Sequence, residues 1–183
     1  MLEEMGLQVL SLHDYPDAPD IDEDGETFID NALKKARIVS AFTGEAVIAD
    51  DSGLEVDALD GRPGVHSARY AGAGASDREN YMKLLEEMES VPPGDRAAAF
   101  RCVLVLFHPD KSYESFEGVL EGSISLEPSG REGFGYDPVF IVPEYGKTVA
   151  ELSPEIKNRI SHRARAFEKL KNVLKQSDKF IRC

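Results

Sequence analysis

The sequence predicts an α/β domain built around one sheet, with a hairpin-rich second half. Three observations carry this: short apolar runs bounded by turn residues, segments with helical apolar spacing behind N-cap residues, and the order in which the two kinds alternate. The 183 residues suit a single domain spanning 1–183, long enough for a substantial core.

Leu7-Gln8-Val9-Leu10-Ser11-Leu12 alternates like a half-buried strand, and the acidic, proline-containing stretch 14–26 reads as a loop. Thr27 with Asp30 three residues on is a weaker form of the capping box. Behind it Ala32, Leu33, Ala36 and Val39 supply the buried stripe of a helix that ends near Thr43-Gly44. Ala46-Val47-Ile48-Ala49 reads as a buried strand that delivers Asp50-Asp51 into the small-residue turn Ser52-Gly53. In α/β sheets such strand ends open onto ligand crevices. A tight loop at Gly61-Arg62-Pro63-Gly64 precedes the full capping box Ser76-Asp77-Arg78-Glu79, with Tyr81, Leu84, Leu85 and Met88 at helical spacing and Pro92-Pro93-Gly94 as the stop.

Phe100 to Phe107 is apolar except for Arg101 and reads as a strand buried on both faces. His108 to Lys111 is turn chemistry, Tyr113 to Ile124 reads as an antiparallel partner, and Val139 to Val142 as a short strand after the loop Gly130 to Pro138. Ser153 caps a last helical region with Pro154 at its first position, and Ile156, Ile160, Ala164, Phe167, Leu170 and Leu174 follow at intervals of three or four.

A formal net charge of -13 argues against binding a nucleic-acid backbone or an anionic membrane, since both reward excess Lys and Arg. It does not exclude a small polyphosphate, for which a few focused cations and a metal suffice. Two cysteines, Cys102 in an apolar run and the terminal Cys183, imply no disulfide framework, and a reducing cytoplasm is the simplest compartment. No apolar segment approaches the roughly 18 residues of a membrane span, and no basic leader opens the sequence.

Asp50-Asp51 at a strand end suits a hard cation such as Mg²⁺, which takes one or two protein carboxylates plus waters and substrate phosphates; the same tetrad is also ordinary turn chemistry. Successive strand residues face opposite sides, so one of the two carboxylates aims most easily into a cleft. On the first helix Thr27, Asn31 and Lys35 share a stripe, which separates Lys35, a candidate phosphate contact, from Lys34, expected to pair with Asp30. Glu23 is a candidate second metal carboxylate among five other acidic residues between Asp17 and Glu26.

Gly133-Phe134-Gly135-Tyr136-Asp137-Pro138 has the composition of a base pocket: glycines admit a flat ligand, aromatic rings stack, and an acid reads a polar edge. The alternative is a hairpin loop with its aromatics in the core. Lys157, His162 and Arg163 would sit on separate faces of one helix at about 100° per residue. To share a site they need a break, so the sequence predicts one helix ending near Arg159 and a second starting after the N-cap Ser161, its free N–H groups beside two cations. A single surface helix with scattered charges is the alternative.

Taken in order, Thr27-Phe28-Ile29-Asp30-Asn31-Ala32 with Lys35-Ala36, Ala49-Asp50-Asp51-Ser52-Gly53-Leu54, Pro63-Gly64-Val65-His66-Ser67-Ala68-Arg69-Tyr70, Gly133 to Pro138, and Lys157-Asn158 with Ser161-His162-Arg163 closely resemble the inosine triphosphate pyrophosphatase family. The resemblance implies an elongated mixed β-sheet flanked by helices and two lobes with a nucleotide cleft between them. It further implies a homodimer and Mg²⁺-dependent cleavage of ITP, dITP or XTP between the α and β phosphates, giving a monophosphate and pyrophosphate. On this chain it implies Asp51 as general base and metal ligand and Glu23 as a further metal carboxylate. Lys35 becomes a phosphate contact, with Ser52, Phe134, Gly135, Tyr136, Asp137, Lys157, His162 and Arg163 around the nucleotide. His66 stands where the family often has Tyr, and no consequence is attached to it. Whether Asp50 joins the metal stays open.

Phosphoryl substitution needs charge neutralisation and a positioned nucleophile, which these residue types supply. Donors near the base favour a purine with oxygen at position 6, because adenine presents a donor there and leaves the site's donors unpaired. The family's opening strand, its Thr/Ser-x-Asn-x-x-Lys phosphate loop and most of a helix have no counterpart before Leu7, so the 183-residue chain is expected to be weakly active or inactive and marginally stable. The competing reading is a non-catalytic nucleotide-binding or dimerisation partner, and beyond it a purely structural α/β domain.

Overall fold

The computed structural model describes residues 6–176. Among them the sheet has six strands in the order β2-β1-β3-β4-β5-β6: β1 Val47–Val56, β2 Pro63–Gly64, β3 Ala97–Phe107, β4 Tyr113–Ile124, β5 Phe140–Val142 and β6 Lys147–Thr148. The helices are α1 Phe28–Thr43, α2 Asp77–Glu87, α3 Pro154–Ile160 and α4 His162–Gln176. The α/β class holds, but all five ladders are antiparallel where mixed directions were expected. For β3 and β4 the reason is local: they are joined by the short turn at His108 to Ser112, and a tight hairpin enforces antiparallel pairing. No helix among the described residues is long and apolar enough to cross a membrane.

Helix ends follow the local chemistry. Thr27 Oγ1 accepts the Asp30 N–H at 3.2 Å and donates to the Asp30 carboxylate at 2.6 Å, and Gly44 closes α1 with φ 75°. Because Thr27 occupies Asp30, Lys34 turns instead to Asp24, 2.5 Å away, which corrects the pairing read from helical spacing. Ser76 and Glu79 form the capping box of α2, which stops at Met88, ahead of the prolines. The break in the last helical region is present: α3 ends at Ile160, Ser161 is extended, and α4 begins at His162 with the Ser161 hydroxyl accepting the Ala164 N–H at 3.2 Å.

Two expectations are corrected. Leu7 to Ser11 forms no strand and Leu12–Asp14 is a 3₁₀ turn; Val9 and Leu10 are about half exposed, because no neighbouring strand offers them a ladder. Asp50 to Gly53 is not a turn either. β1 runs through it to Val56, since β3 pairs every residue from Val47 to Val56 and holds the small residues extended.

That continuous ladder sorts side chains by parity. Ala49, Asp51 and Gly53 face α1 with Val103, Val105 and Phe107, where Phe28, Ala32 and Ala36 complete one core. Asp50, Ser52 and Leu54 face the other side with Leu104, Cys102 and Phe100; there Leu104, Leu106 and Phe116 pack on Ala166, Leu170 and Leu174 of α4. A third core gathers Leu54, Val56, Leu84, Met88, Phe100, Ile124 and Phe140 at the far end of β1. Apolar packing therefore divides at the middle of β1, beside Asp50 to Gly53. Arg96, only 3% exposed, ties this far end together, donating to the carbonyls of Met88, Val91, Ile124 and Ser125.

α4 reaches the sheet because β4 has Gly118 beneath it: a Cβ there would collide with the His162 carbonyl oxygen and the Ala166 nitrogen. Gly118→Ala must therefore lift the start of α4 or shift β4. It is expected to cost about 3 kcal/mol of unfolding free energy, the upper end for overpacking, measured as a lowered urea midpoint at constant m. An unchanged midpoint would contradict the close approach.

Candidate active site

Residues from the sheet, the acidic loop and three helices meet around the middle of β1. On the α1 face Asp51, 7% exposed, accepts from Asn31 Nδ2 at 3.1 Å and from Lys35 Nζ at 3.3 Å. Lys35 Nζ also lies 2.8 Å from Glu23, so Asp51 and Glu23 converge on one positive charge. Helical spacing puts Asn31 and Lys35 one turn apart on the same stripe, which is why both reach one carboxylate. Burial pushes the Asp51 carboxyl above its ordinary range, against the opposing pull of the Asn31 hydrogen bond and the Lys35 charge. The Glu23 loop is fixed from outside: Arg69 donates to the Glu23 carbonyl at 2.7 Å, and Asn31 Oδ1 accepts the Gly25 N–H at 2.7 Å.

On the opposite face Asp50 accepts from Ser52 Oγ at 3.0 Å and from Arg163 Nε at 3.1 Å. The two adjacent carboxylates thus serve different elements, α1 for Asp51 and α4 for Asp50. Cys102, paired with Ser52 across the ladder, is buried, and burial raises its thiol pKa to about 11, so it stays protonated and unreactive at neutral pH.

The glycine-aromatic loop lies beside Arg163. Phe134 is 58% exposed, with Lys157 Nζ 4.4 Å and the Arg163 guanidinium 5.5 Å from its ring centre. Lys157 is ion-paired with the buried Asp137, which also accepts the Phe134 N–H at 3.0 Å. Gly133, at φ 88°, is required here, because a Cβ would run into the Asp137 carboxylate. The Gly135 N–H is held by Asp77, the first residue of α2, at 2.7 Å. Tyr136 departs from the base-pocket expectation: its ring is 5% exposed inside the core and its hydroxyl donates to the Ser67 carbonyl at 2.8 Å, so it anchors the loop instead of facing outward.

The structure therefore brings Asp51, Glu23 and Lys35 together on one face and Phe134, Asp137, Lys157, His162 and Arg163 on the other, with Ser52 linked to the second group through Asp50. Site candidacy for Asn31, Asp77 and Arg69 was missed. Asn31 had a signal, its place on the Lys35 stripe, and Arg69 stands in the Pro63 to Tyr70 motif; Asp77 reads only as part of a capping box, and its bond to the Gly135 N–H spans a long sequence separation.

His162 begins α4 with its ring stacked on Phe100, centroids 5.0 Å apart, and its Nδ1 has no hydrogen-bond partner among the described residues. Burial, helped by the Arg163 and Lys157 charges and opposed by Asp50, lowers its pKa from 6.5 to about 3. The folded state keeps the ring neutral, whereas the unfolded chain protonates it near 6.5, so its contribution is complete above that pH and is lost as pH falls towards 3. His162→Phe keeps the stack and removes the titration. Between about pH 7.5 and about pH 5.5 the wild type is expected to lose about 1 kcal/mol more stability than the variant in urea denaturation, following the linkage slope of one proton. Equal losses would contradict a buried neutral ring.

The Ham1 family profile matches residues 1–173. The dITP/XTP pyrophosphatase of Geobacter sulfurreducens is 53% identical over 174 residues, covering 95% of this chain and 87% of that protein, and the protein of the same name from Geobacillus kaustophilus is 54% identical over 165 residues, covering 90% and 81%. The structure of the Staphylococcus aureus Ham1 protein superposes with TM-score 0.87 at 43% identity, covering 92% of this chain and 87% of that one. A HAM1 protein from Coxiella burnetii superposes with TM-score 0.84 at 48% identity, covering 87% and 82%. With a profile match along nearly its whole length and relatives more than half identical, the chain belongs to the Ham1 family.

Proposed function

We propose that the chain hydrolyses noncanonical purine nucleoside triphosphates, ITP, dITP and XTP, to the monophosphate and pyrophosphate with Mg²⁺. The observation that carries this reading is the placement of a buried carboxylate-lysine cluster and an exposed aromatic ring flanked by two cations on the two faces of one strand. The names of the 53% and 54% identical relatives support the substrate class. The chain is read as one catalytic domain, and with it go a homodimer and a cytoplasmic location.

The donor set fits magnesium. Asp51 and Glu23 reach the same ammonium group, which suits an ion that takes one or two carboxylates and fills its shell with water and phosphate. When bound by Asp51 and Glu23, Mg²⁺ neutralises charge on the phosphate oxygens. Lys35 adds a second positive charge at the same point. Asp51, its oxygens oriented by Asn31 and Lys35, takes the proton of the attacking water.

At the other end Phe134 offers an exposed ring, and Lys157 and Arg163 bring donors over it. These donors match an oxygen at purine position 6, and an adenine amino group would leave them unpaired. Lys35, held between Glu23 and Asp51, is the phosphate contact this reading identifies.

Pyrophosphate release from ITP, XTP and ATP, with and without Mg²⁺, tests the reading: ITP and XTP should exceed ATP, and only with the metal. Binding of ITP without turnover would favour a non-catalytic nucleotide binder, and no binding a purely structural domain. Asp51→Asn should lower kcat by roughly 100-fold or more, the usual worth of a general base, while the circular dichroism melt stays cooperative. Near-normal turnover in that variant would remove Asp51 from its role.

A further inference from the structure

The partner of Arg163 lies outside the catalytic cluster. We propose that Asp50 is a positioning residue that sets the Arg163 guanidinium at the base end of the site and does not hold metal. The inference rests on the reading of Arg163 as a purine contact.

β1 alternation separates Asp50 from the metal side: Asp51 faces α1 with Asn31, Lys35 and Glu23, whereas Asp50 faces α4. One oxygen of Asp50, Oδ2, accepts both the Ser52 hydroxyl at 3.0 Å and Arg163 Nε at 3.1 Å. The Ser52 bond fixes the carboxylate, and the carboxylate fixes the arginine. Contact through Nε is informative, because Nε is the inner nitrogen of the planar guanidinium; a bond there sets the plane and leaves both Nη groups for a ligand. The guanidinium lies over Phe134, its carbon 5.5 Å from the ring centre, so the donors are presented above the exposed ring.

Stability does not account for the pair. Arg163 and Asp50 are 46% and 38% exposed, and ion pairs this open to water contribute little to folding. What the pair does change is rotamer freedom. An arginine without Asp50 would have to give up its side-chain mobility each time a base binds, whereas a held arginine has already done so.

The product IMP is a suitable probe because it needs no turnover. Calorimetric titration of IMP into the wild type, Asp50→Ala, Asp50→Asn, Arg163→Ala and the Asp50→Ala/Arg163→Ala double variant, all in EDTA, tests the proposal. Asp50→Ala is expected to raise the IMP Kd by roughly 5- to 10-fold, the scale of ordering one long side chain. Asp50→Asn, whose amide oxygen can still accept Nε–H, should recover most of that loss. In the Arg163→Ala background Asp50→Ala should add nothing, since Asp50 acts only through the arginine. Melting temperatures should agree within the set, which excludes unfolding as the cause. Undiminished affinity in Asp50→Ala, an additive effect in the double variant, or an effect that appears only when EDTA is replaced by Mg²⁺ would each overturn the proposal. An unchanged Kd in Arg163→Ala alone would instead bring down the reading of Arg163 as a base contact, and the positioning role with it.

Discussion

The β1–β3 ladder is the constraint on which the rest of the structure depends. Ten consecutive residues of β1 are paired with β3, so the alternation of side chains runs unbroken through two adjacent aspartates. A turn at this point would have let both carboxylates swing to one side. The ladder forbids that, assigning Asp51 to α1 and Asp50 to α4, and each helix then brings its own cation: Lys35 to the first, Arg163 to the second. A one-residue slip would exchange the two faces and bury the wrong carboxylate.

Around this strand the cations of the site are each engaged with an acid: Lys35 with Glu23 and Asp51, Lys157 with Asp137, Arg163 with Asp50. The pairs keep three positive charges ordered at fixed points. Burial at Asp51 and at His162 works in the same direction, each disfavouring its charged form: the carboxyl becomes more basic and the imidazole stays neutral.

Small residues decide how closely the elements approach. Gly118 admits the first turn of α4 onto β4, and Gly133 gives the Asp137 carboxylate room in the loop that carries Phe134. The break at Ser161 completes the geometry. It lets α3 present Lys157 and α4 present His162 and Arg163 towards the same loop, which one straight helix could not do.

Local chemistry in the sequence was sufficient for the α/β class, the caps at Thr27, Ser76 and Ser153, the β3–β4 hairpin and the break after Ile160, because each rests on interactions within a few residues. The candidate residue types were legible for the same reason, and the resemblance to the inosine triphosphate pyrophosphatase family selected Asp51, Glu23 and the nucleotide contacts among them. Tertiary structure decided the rest. It withheld a strand from Leu7 to Leu12, which have the right alternation and no ladder to join, and it extended β1 through Asp50 to Gly53 because β3 supplied one. It placed Tyr136 in the core, turned Lys34 to Asp24, and joined Asp77 to Gly135 and Arg69 to the Glu23 carbonyl across long separations. Which aspartate faces which helix was the last of these decisions, since the sequence fixes only that neighbours in a strand point apart, and only packing of α1 and α4 on opposite faces says where each one points.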